Sequence, residues 1–285
     1  YRISVMIGMN SLGKNGRFGN SMFQYAALVG IAKNCKFDYV IPDHSNGYDW
    51  EGRNHHQLQH CFKMSNLSER FGEICGDIVE LDQYHFCQDL FNECPDNVSL
   101  HGHFESYKYF ENAENEIRMD FQFKDFIKEE SEKFHKNNKL DNAISIIVRR
   151  GDFLNFQDCH PVCSEKYYFE CISKFSLDRQ FVIISDDINW CKSNKIFSGS
   201  NFFFIDSCPE GIHKGHFDMS VSSLCSDFII SNSTFAWWCA WLGLNRNKKI
   251  YYPDPWFGVT YKNFDTKDLF PENFIKMKRE IGYAK

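Results

Sequence analysis

Two arginines stand side by side in Ile147-Val148-Arg149-Arg150-Gly151-Asp152, directly after an apolar run that reads as a buried strand. Open α/β sheets bind ligands just outside the carboxyl ends of their strands. Two guanidinium groups placed there suit a diphosphate, with Asp152 as a carboxylate that steadies one of them. The bland alternative is an Arg–Asp surface pair, worth under about 1 kcal/mol. Two arginines following a core strand make that alternative the weaker one.

Three further segments have the same character. Gly13-Lys14-Asn15-Gly16-Arg17-Phe18-Gly19-Asn20 lies between a first strand and a first helix. Its glycines let backbone approach a ligand, Arg17 adds a fixed charge, and the following helix N-terminus favours an anion. It is neither Gly-x-Gly-x-x-Gly nor a P-loop, so dinucleotide binding and Walker-type ATP hydrolysis lose support. The competing reading is a plain strand–helix loop capped by Asn20 or Ser21. Ser185-Asp186-Asp187 ends another strand, where paired carboxylates could hold a metal, recognise a base or ribose, or cap the next helix. Last comes Asp218-Met219-Ser220, followed by the block from Asp227 to Trp241. There a strand enters the turn Ser231-Asn232-Ser233 and a helix begins, so Ser233 and Thr234 form an anion cradle. Phe235, at the turn, is placed to touch a nucleotide, whereas Trp237, Trp238 and Trp241 read as core.

Other chemistries find little footing. No Asp-x-Asp occurs, and Cys159-His160-x-x-Cys163 lacks a matching half for a metal site. His55-His56 and His101-x-His103 have no partner at metal spacing, and no Gly-x-Ser-x-Gly elbow is present. No metal is expected.

The elements that must position these residues alternate. Ile3–Met9 reads as a strand, Met22–Lys33 as an amphipathic helix and Phe37–Ile41 as a strand, which makes a βαβ opening. His44 to His60 reads as loop, Val98–His101 as a strand and Tyr107–Ile117 as a helix. Lys128 to Asp141, polar and charged, reads as a solvated helix end and linker, so the boundary is set between domains 1–137 and 138–285. Beyond it, Ile144–Val148, Phe181–Ile184, Phe202–Ile205, Phe228–Ile230 and Ile250–Tyr252 are short apolar runs, as parallel strands buried on both faces require. The fold class is α/β, two Rossmann-like halves.

Composition bounds the partners. The 285 residues are 43% hydrophobic and 25% charged, enough for a sizeable core. A net charge of −6 argues against a phosphate-coating nucleic-acid binder. No apolar run approaches the roughly 20 residues of a membrane span. The twelve scattered cysteines are expected as reduced thiols, which points to the cytoplasm; the Golgi lumen is the alternative should an anchor precede Tyr1. Asn66-Leu67-Ser68 and Asn97-Val98-Ser99 are glycosylation sequons by pattern alone.

Taken in order, these segments resemble the α-1,2-fucosyltransferase family, glycosyltransferase family 11. The matching stretches are Gly16-Arg17-Phe18-Gly19-Asn20-x-Met22-Phe23-Gln24-Tyr25-Ala26, Gly102-x-Phe104-x-Ser106-x-Lys108-Tyr109-Phe110, Arg149 to Phe153, Ser185-Asp186-Asp187 and Ser231 to Trp241. The resemblance implies a GT-B-like fold of two Rossmann-like domains facing a cleft, the N-terminal one on the acceptor side and the C-terminal one binding the donor. It implies an inverting, metal-independent galactoside 2-alpha-L-fucosyltransferase, moving L-fucose from GDP-β-L-fucose to the 2-hydroxyl of a galactose-type glycan. A GDP-fucose enzyme with another acceptor, such as a protein hydroxyl, and a non-catalytic nucleotide-sugar-binding relative are the alternatives. Carried over by position, Arg149 contacts the β-phosphate, while Arg150, Ser233, Thr234 and Phe235 line the diphosphate and nucleotide. Asp186 or Asp187 recognises guanine, and Arg17, Gly19 and Asn20 approach from the other domain. Asp152 is a candidate general base, unless an arginine pins it and the leaving phosphate takes the proton. One departure stands out: the family pattern is His-x-Arg-Arg-x-Asp, and here Ile147 occupies the His position.

Overall fold

The computed structural model describes residues 5–47, 55–67 and 70–281. Parts of two readings, Ile3 of the first strand and the centre of the His44 to His60 loop, lie outside them, as does Ser68 of the first sequon. The chain divides into two compact units, Tyr1–Lys124 with Phe264–Pro271, and Asp125–Asn263 with Glu272–Lys285.

The first unit carries β1 (Met6–Gly8), α1 (Phe18–Cys35), β2 (Asp38–Val40), α2 (Leu58–Cys61), β3 (Ile78–Leu81), α3 (Gln88–Glu93), β4 (Val98–Gly102) and α4 (Glu114–Asp120). Its four strands run parallel in the order β2-β1-β4-β3. The chain passes from β1 to one side of the sheet and later returns to the other, so the order switches between β1 and β4, where the loop after β1 leaves. Most of α1 is buried, from Phe18 through Ala32, because its residues are small or apolar around the whole circumference. The helix begins earlier than its apolar periodicity suggested. Arg17 is the N-cap, and Asn20, expected there, sits one turn inside. The helix expected over Tyr107–Ile117 is instead two 3-10 turns, Tyr107–Tyr109 and Glu111–Ala113, before α4.

The second unit carries α5 (Asp125–Asn138), β5 (Ile144–Val148), α6 (Glu165–Ile172), β6 (Phe181–Ser185), α7 (Ile188–Ser193), β7 (Phe202–Phe204), α8 (Lys214–Ser223), β8 (Asp227–Ile230), α9 (Thr234–Leu242), β9 (Ile250–Asp254) and β10 (Phe274–Lys278). Six parallel strands stand in the order β10-β9-β8-β5-β6-β7. The central strands β5 and β8 are buried along their length, which is what their β-branched runs require in a parallel sheet covered on both faces.

The polar stretch read as linker is the helix α5, and the units divide before it, not at 137. Its apolar stripe is thin but properly spaced: Ile127 and Ser131 are buried, Phe134 meets Phe217 edge-on at 5.9 Å, and His135 Nε2 lies 2.9 Å from the carbonyl of Val221. Four-residue spacing puts these groups on one face against α8, while the charges that suggested a linker cover the other.

Candidate functional site

Strand order and register bring three of the four motifs together. In the second sheet, β5, β6 and β7 progress to one side and β8, β9 and β10 to the other, so the order reverses at β5. Val148 pairs with Ser185, and Ile147 with Ile230. The residues that follow, Arg149, Asp186 and Ser231, therefore leave the sheet along one line at its switch point, where doubly wound sheets bind ligands.

Arg149 is held by two carboxylates. Its Nη1 donates to Asp186 Oδ2 at 2.6 Å, and its Nη2 is bonded to Asp152 Oδ1. The guanidinium carbon also lies 5.0 Å from the centre of the Phe153 ring. Arg150 is buried. Its backbone N–H donates to Asp186 Oδ1 at 2.9 Å, its Nε donates to Asp187 Oδ2 at 3.1 Å, and its guanidinium stacks 4.0 Å over Trp190. Asp187 caps α7 as well, its Oδ1 accepting from the Trp190 N–H at 3.3 Å. Asp186 and Asp187, carried over as guanine acceptors, thus engage the arginines, and Asp152 is paired with Arg149.

Gly151 makes this arrangement possible. A Cβ at that position would stand 2.2 Å from Asp186 Oδ2, so any side chain would displace the carboxylate that joins the two arginines.

The loop after β8 supplies the other half. Ser233 is the N-cap of α9, its hydroxyl accepting from the Ala236 N–H at 3.1 Å. Asn232 is fixed by an Nδ2 bond to the Trp256 carbonyl at 3.0 Å. Behind the turn Trp237 and Trp238 are fully buried, as their expected packing role requires. Phe235 is half-buried, its ring against the first turn of α8, where a Cβ on Gly215 would lie 3.8 Å from it.

Ile147 is buried in β5, and its carbonyl accepts from the Ser231 N–H at 3.1 Å. Its backbone positions the β8 loop while its side chain packs into the layer, so the sheet accommodates the departure from the family pattern.

Three features escaped sequence reasoning. Trp190 was hidden because nothing in a helix's first turn marks an aromatic as a cation's platform; its place three residues after the cap Asp187 is the available signal. His160 stacks on Phe153 at 4.8 Å and is enclosed by Phe257 and Tyr261, with burial holding its pKa below the usual imidazole range. The third is Lys214, whose Nζ meets both oxygens of buried Asp218 at 2.6 and 2.7 Å. Burial pushes Asp218 up to about 6 even beside that ammonium. Cys163 Sγ accepts from Arg279 Nη1 at 3.1 Å. Among the described residues no group of three or more His, Cys, Asp or Glu side chains is arranged to hold a metal ion.

In the first unit, Arg17, Gly19 and Asn20 form the start of α1. Arg17 is exposed, Gly19 is buried, and Asn20 Oδ1 accepts from the Arg17 N–H at 3.2 Å. Gly16, at φ +91°, is required both by that angle and by the Asn20 side chain, whose Cβ and Cγ would each lie 2.6 Å from an added Cβ.

Comparison with known proteins places this geometry. The sequence profile of glycosyl transferase family 11 matches residues 2–257. An alpha-1,2-colitosyltransferase of Escherichia coli is 26% identical, over 93% of this chain and 97% of its own length. Galactoside alpha-(1,2)-fucosyltransferase 2 of Hylobates lar is 23% identical, over 84% of this chain and 70% of its own. The structure of the fucosyltransferase NodZ from Bradyrhizobium superimposes with a TM-score of 0.53 at 11% identity, covering 83% of this chain and 92% of NodZ, a likeness that identifies a GT-B-like fold. No helix among the described residues is long and apolar enough to cross a membrane. With that profile matched over residues 2–257, the chain that carries this arginine pair, Ser-Thr-Phe turn and Gly-rich loop belongs to glycosyltransferase family 11.

Proposed function

We propose that this chain is an inverting transferase that moves L-fucose from GDP-β-L-fucose to the 2-hydroxyl of a galactose-type glycan, without a metal. The observation that carries the reading is the convergence of Arg149, Arg150 and the Ser233-Thr234-Phe235 turn at one switch point. NodZ crystals prepared with GDP and with GDP-fucose, and galactoside relatives such as that of Hylobates lar, support the donor and the acceptor.

In this reaction the acceptor oxygen forms a bond to fucose C1 as the bond from C1 to the β-phosphate oxygen breaks, and GDP leaves with the electron pair. Negative charge grows on the β-phosphate, and a guanidinium already held in place stabilises it without reorganising. Asp186 and Asp152 do that holding, which leaves the departing phosphate to take the acceptor's proton. Arg150, fixed by Asp187 and Trp190, serves the diphosphate from the strand end. Ser233 and Thr234 offer hydroxyl and N–H groups at the N-terminus of α9, and Phe235 lies against the nucleotide. Arg17, Gly19 and Asn20 are the remaining donor-binding residues of this reading. The guanidinium charges supply locally what a divalent ion would otherwise supply.

A second reading concerns the donor sugar alone. The colitosyl relative is 26% identical, and colitose is the 3-deoxy counterpart of fucose. Calorimetric titration with GDP, GDP-fucose, GDP-colitose and UDP-galactose, with and without EDTA, tests both readings, followed by transfer assays on galactose-terminated glycans and on peptides. Guanine-selective binding that survives EDTA, with transfer to the glycan, is expected. A folded sample that binds no GDP, or binds it and never turns over, overturns the proposal. Transfer to peptide alone moves the acceptor, and preference for GDP-colitose moves the donor.

A further inference from the structure

The resemblance to family 11 assigns no role to residue 105, which lies between Phe104 and Ser106. In this chain the residue is Glu105, which follows β4 at the switch point of the first sheet and is only 5% exposed. Asn20 Nδ2 donates to its Oε1 at 2.8 Å, while Asn20 Oδ1 accepts from the Arg17 N–H. The carboxamide of Asn20 is therefore held at both ends and lies across Gly16. One helical turn further along, Gln24 Nε2 donates to the carbonyls of Asn15 and Gly102, at 3.0 and 2.9 Å. Two amides on one face of α1 thus tie the Gly-rich loop to the exit of β4, and Glu105 supplies the side-chain acceptor for Asn20 on the β4 side.

We infer that Glu105 is a positioning residue: by accepting from Asn20 it fixes the Gly-rich loop and Arg17 in the arrangement that binds substrate. This inference rests on the function proposed above. Burial supports it by pushing the carboxyl up to about 8, so the group is mostly neutral at pH 7 and presents an uncharged acceptor, as a glutamine would. His103 Nδ1 lies 3.8 Å from Oε1, with its ring stacked on Tyr84, and is the titratable neighbour on the same segment. The carbonyl end of Gln would accept from Asn20 just as Oε1 does. Methionine would fill the same volume and accept nothing of comparable strength.

The test is a kinetic cycle on the full chain with GDP-fucose and the glycan acceptor, using Glu105→Gln, Glu105→Met, Asn20→Ala and Asn20→Ala/Glu105→Met, with Tm measured throughout. Glu105→Gln is expected to keep kcat/KM within about threefold. Glu105→Met loses tenfold or more, mainly through KM, and adds nothing in the Asn20→Ala background, since a residue acting only through another is silent once that partner is gone. Loss of kcat in Glu105→Gln overturns the inference and makes the carboxylate a participant in proton transfer; this arm decides the matter even if Glu105→Met does not fold. Additive losses in the double variant overturn it as well, because the action would then bypass Asn20. An inert Asn20→Ala beside an inactive Arg149→Lys removes the loop while leaving the transferase reading standing. A wild-type chain that transfers nothing removes both.

Discussion

Arg149 and Asp186 are joined, Nη1 to Oδ2 at 2.6 Å, across the ends of neighbouring parallel strands. Residues 37 apart in sequence meet because Val148 and Ser185 share a rung of the sheet. The guanidinium is consequently oriented by the fold before any ligand arrives.

Arg149→Lys should lower kcat/KM by about 10³-fold, on the order of 4 kcal/mol, because one ammonium cannot hold both carboxylates and still face a phosphate. Steady-state transfer rates beside thermal melts check this. A turnover near that of wild type would remove Arg149 from the mechanism.

Asp186→Asn keeps an acceptor for the Arg150 N–H but sets an amide N–H₂ against Arg149 Nη1. The donor KM should rise by roughly tenfold, since charge-assisted bonds of this kind contribute about 1.5–3 kcal/mol. Competition with GDP measures the affinity directly, and an unchanged Kd would show that Asp186 serves something other than the arginines.

Gly151→Ala should reproduce the Asp186→Asn defect, because the added Cβ meets the same carboxylate oxygen. The two substitutions together should cost little more than either alone. Full additivity in inhibitor binding would separate the glycine from the carboxylate.

Glu105 makes stability depend on pH. A carboxyl whose pKa is raised from 4.5 to about 8 on folding contributes fully below about 4.5 and loses that contribution as pH rises through its folded value. Glu105→Gln should therefore match wild type in unfolding free energy at pH 4 and exceed it increasingly toward pH 8, by an amount on the order of a few kcal/mol, with Tm rising in step. Melts across that range decide it; a constant difference would mean that the carboxyl does not titrate between folded and unfolded states.

The sequence was most legible where one local pattern sufficed. The apolar run Ile144–Val148 and the two arginines after it specify a buried strand and its charged exit, and the structure has both. Partnership between distant residues was not legible. Nothing local distinguishes an aspartate that faces a base from one that grips an arginine, so the engagement of Asp186 and Asp187 emerged only with strand register. The helix α5 was misread because its buried face is so narrow, with Ile127 and Ser131 as its buried residues, that charge dominated the pattern. Glu105 was overlooked because a carboxylate in sequence looks solvated, and only packing shows that this one is not.

The return of Phe264–Pro271 to the first unit has a consequence for how the protein is made. Within that segment the Asp268 carbonyl accepts from Ser106 Oγ at 2.7 Å, and its carboxylate meets Lys108 Nζ at 2.5 Å. On a ribosome these partners wait until Asp125–Asn263 of the second unit has been synthesised. The first unit is completed only after most of the second has emerged, and a fragment cut at residue 124 would lack the piece that closes it.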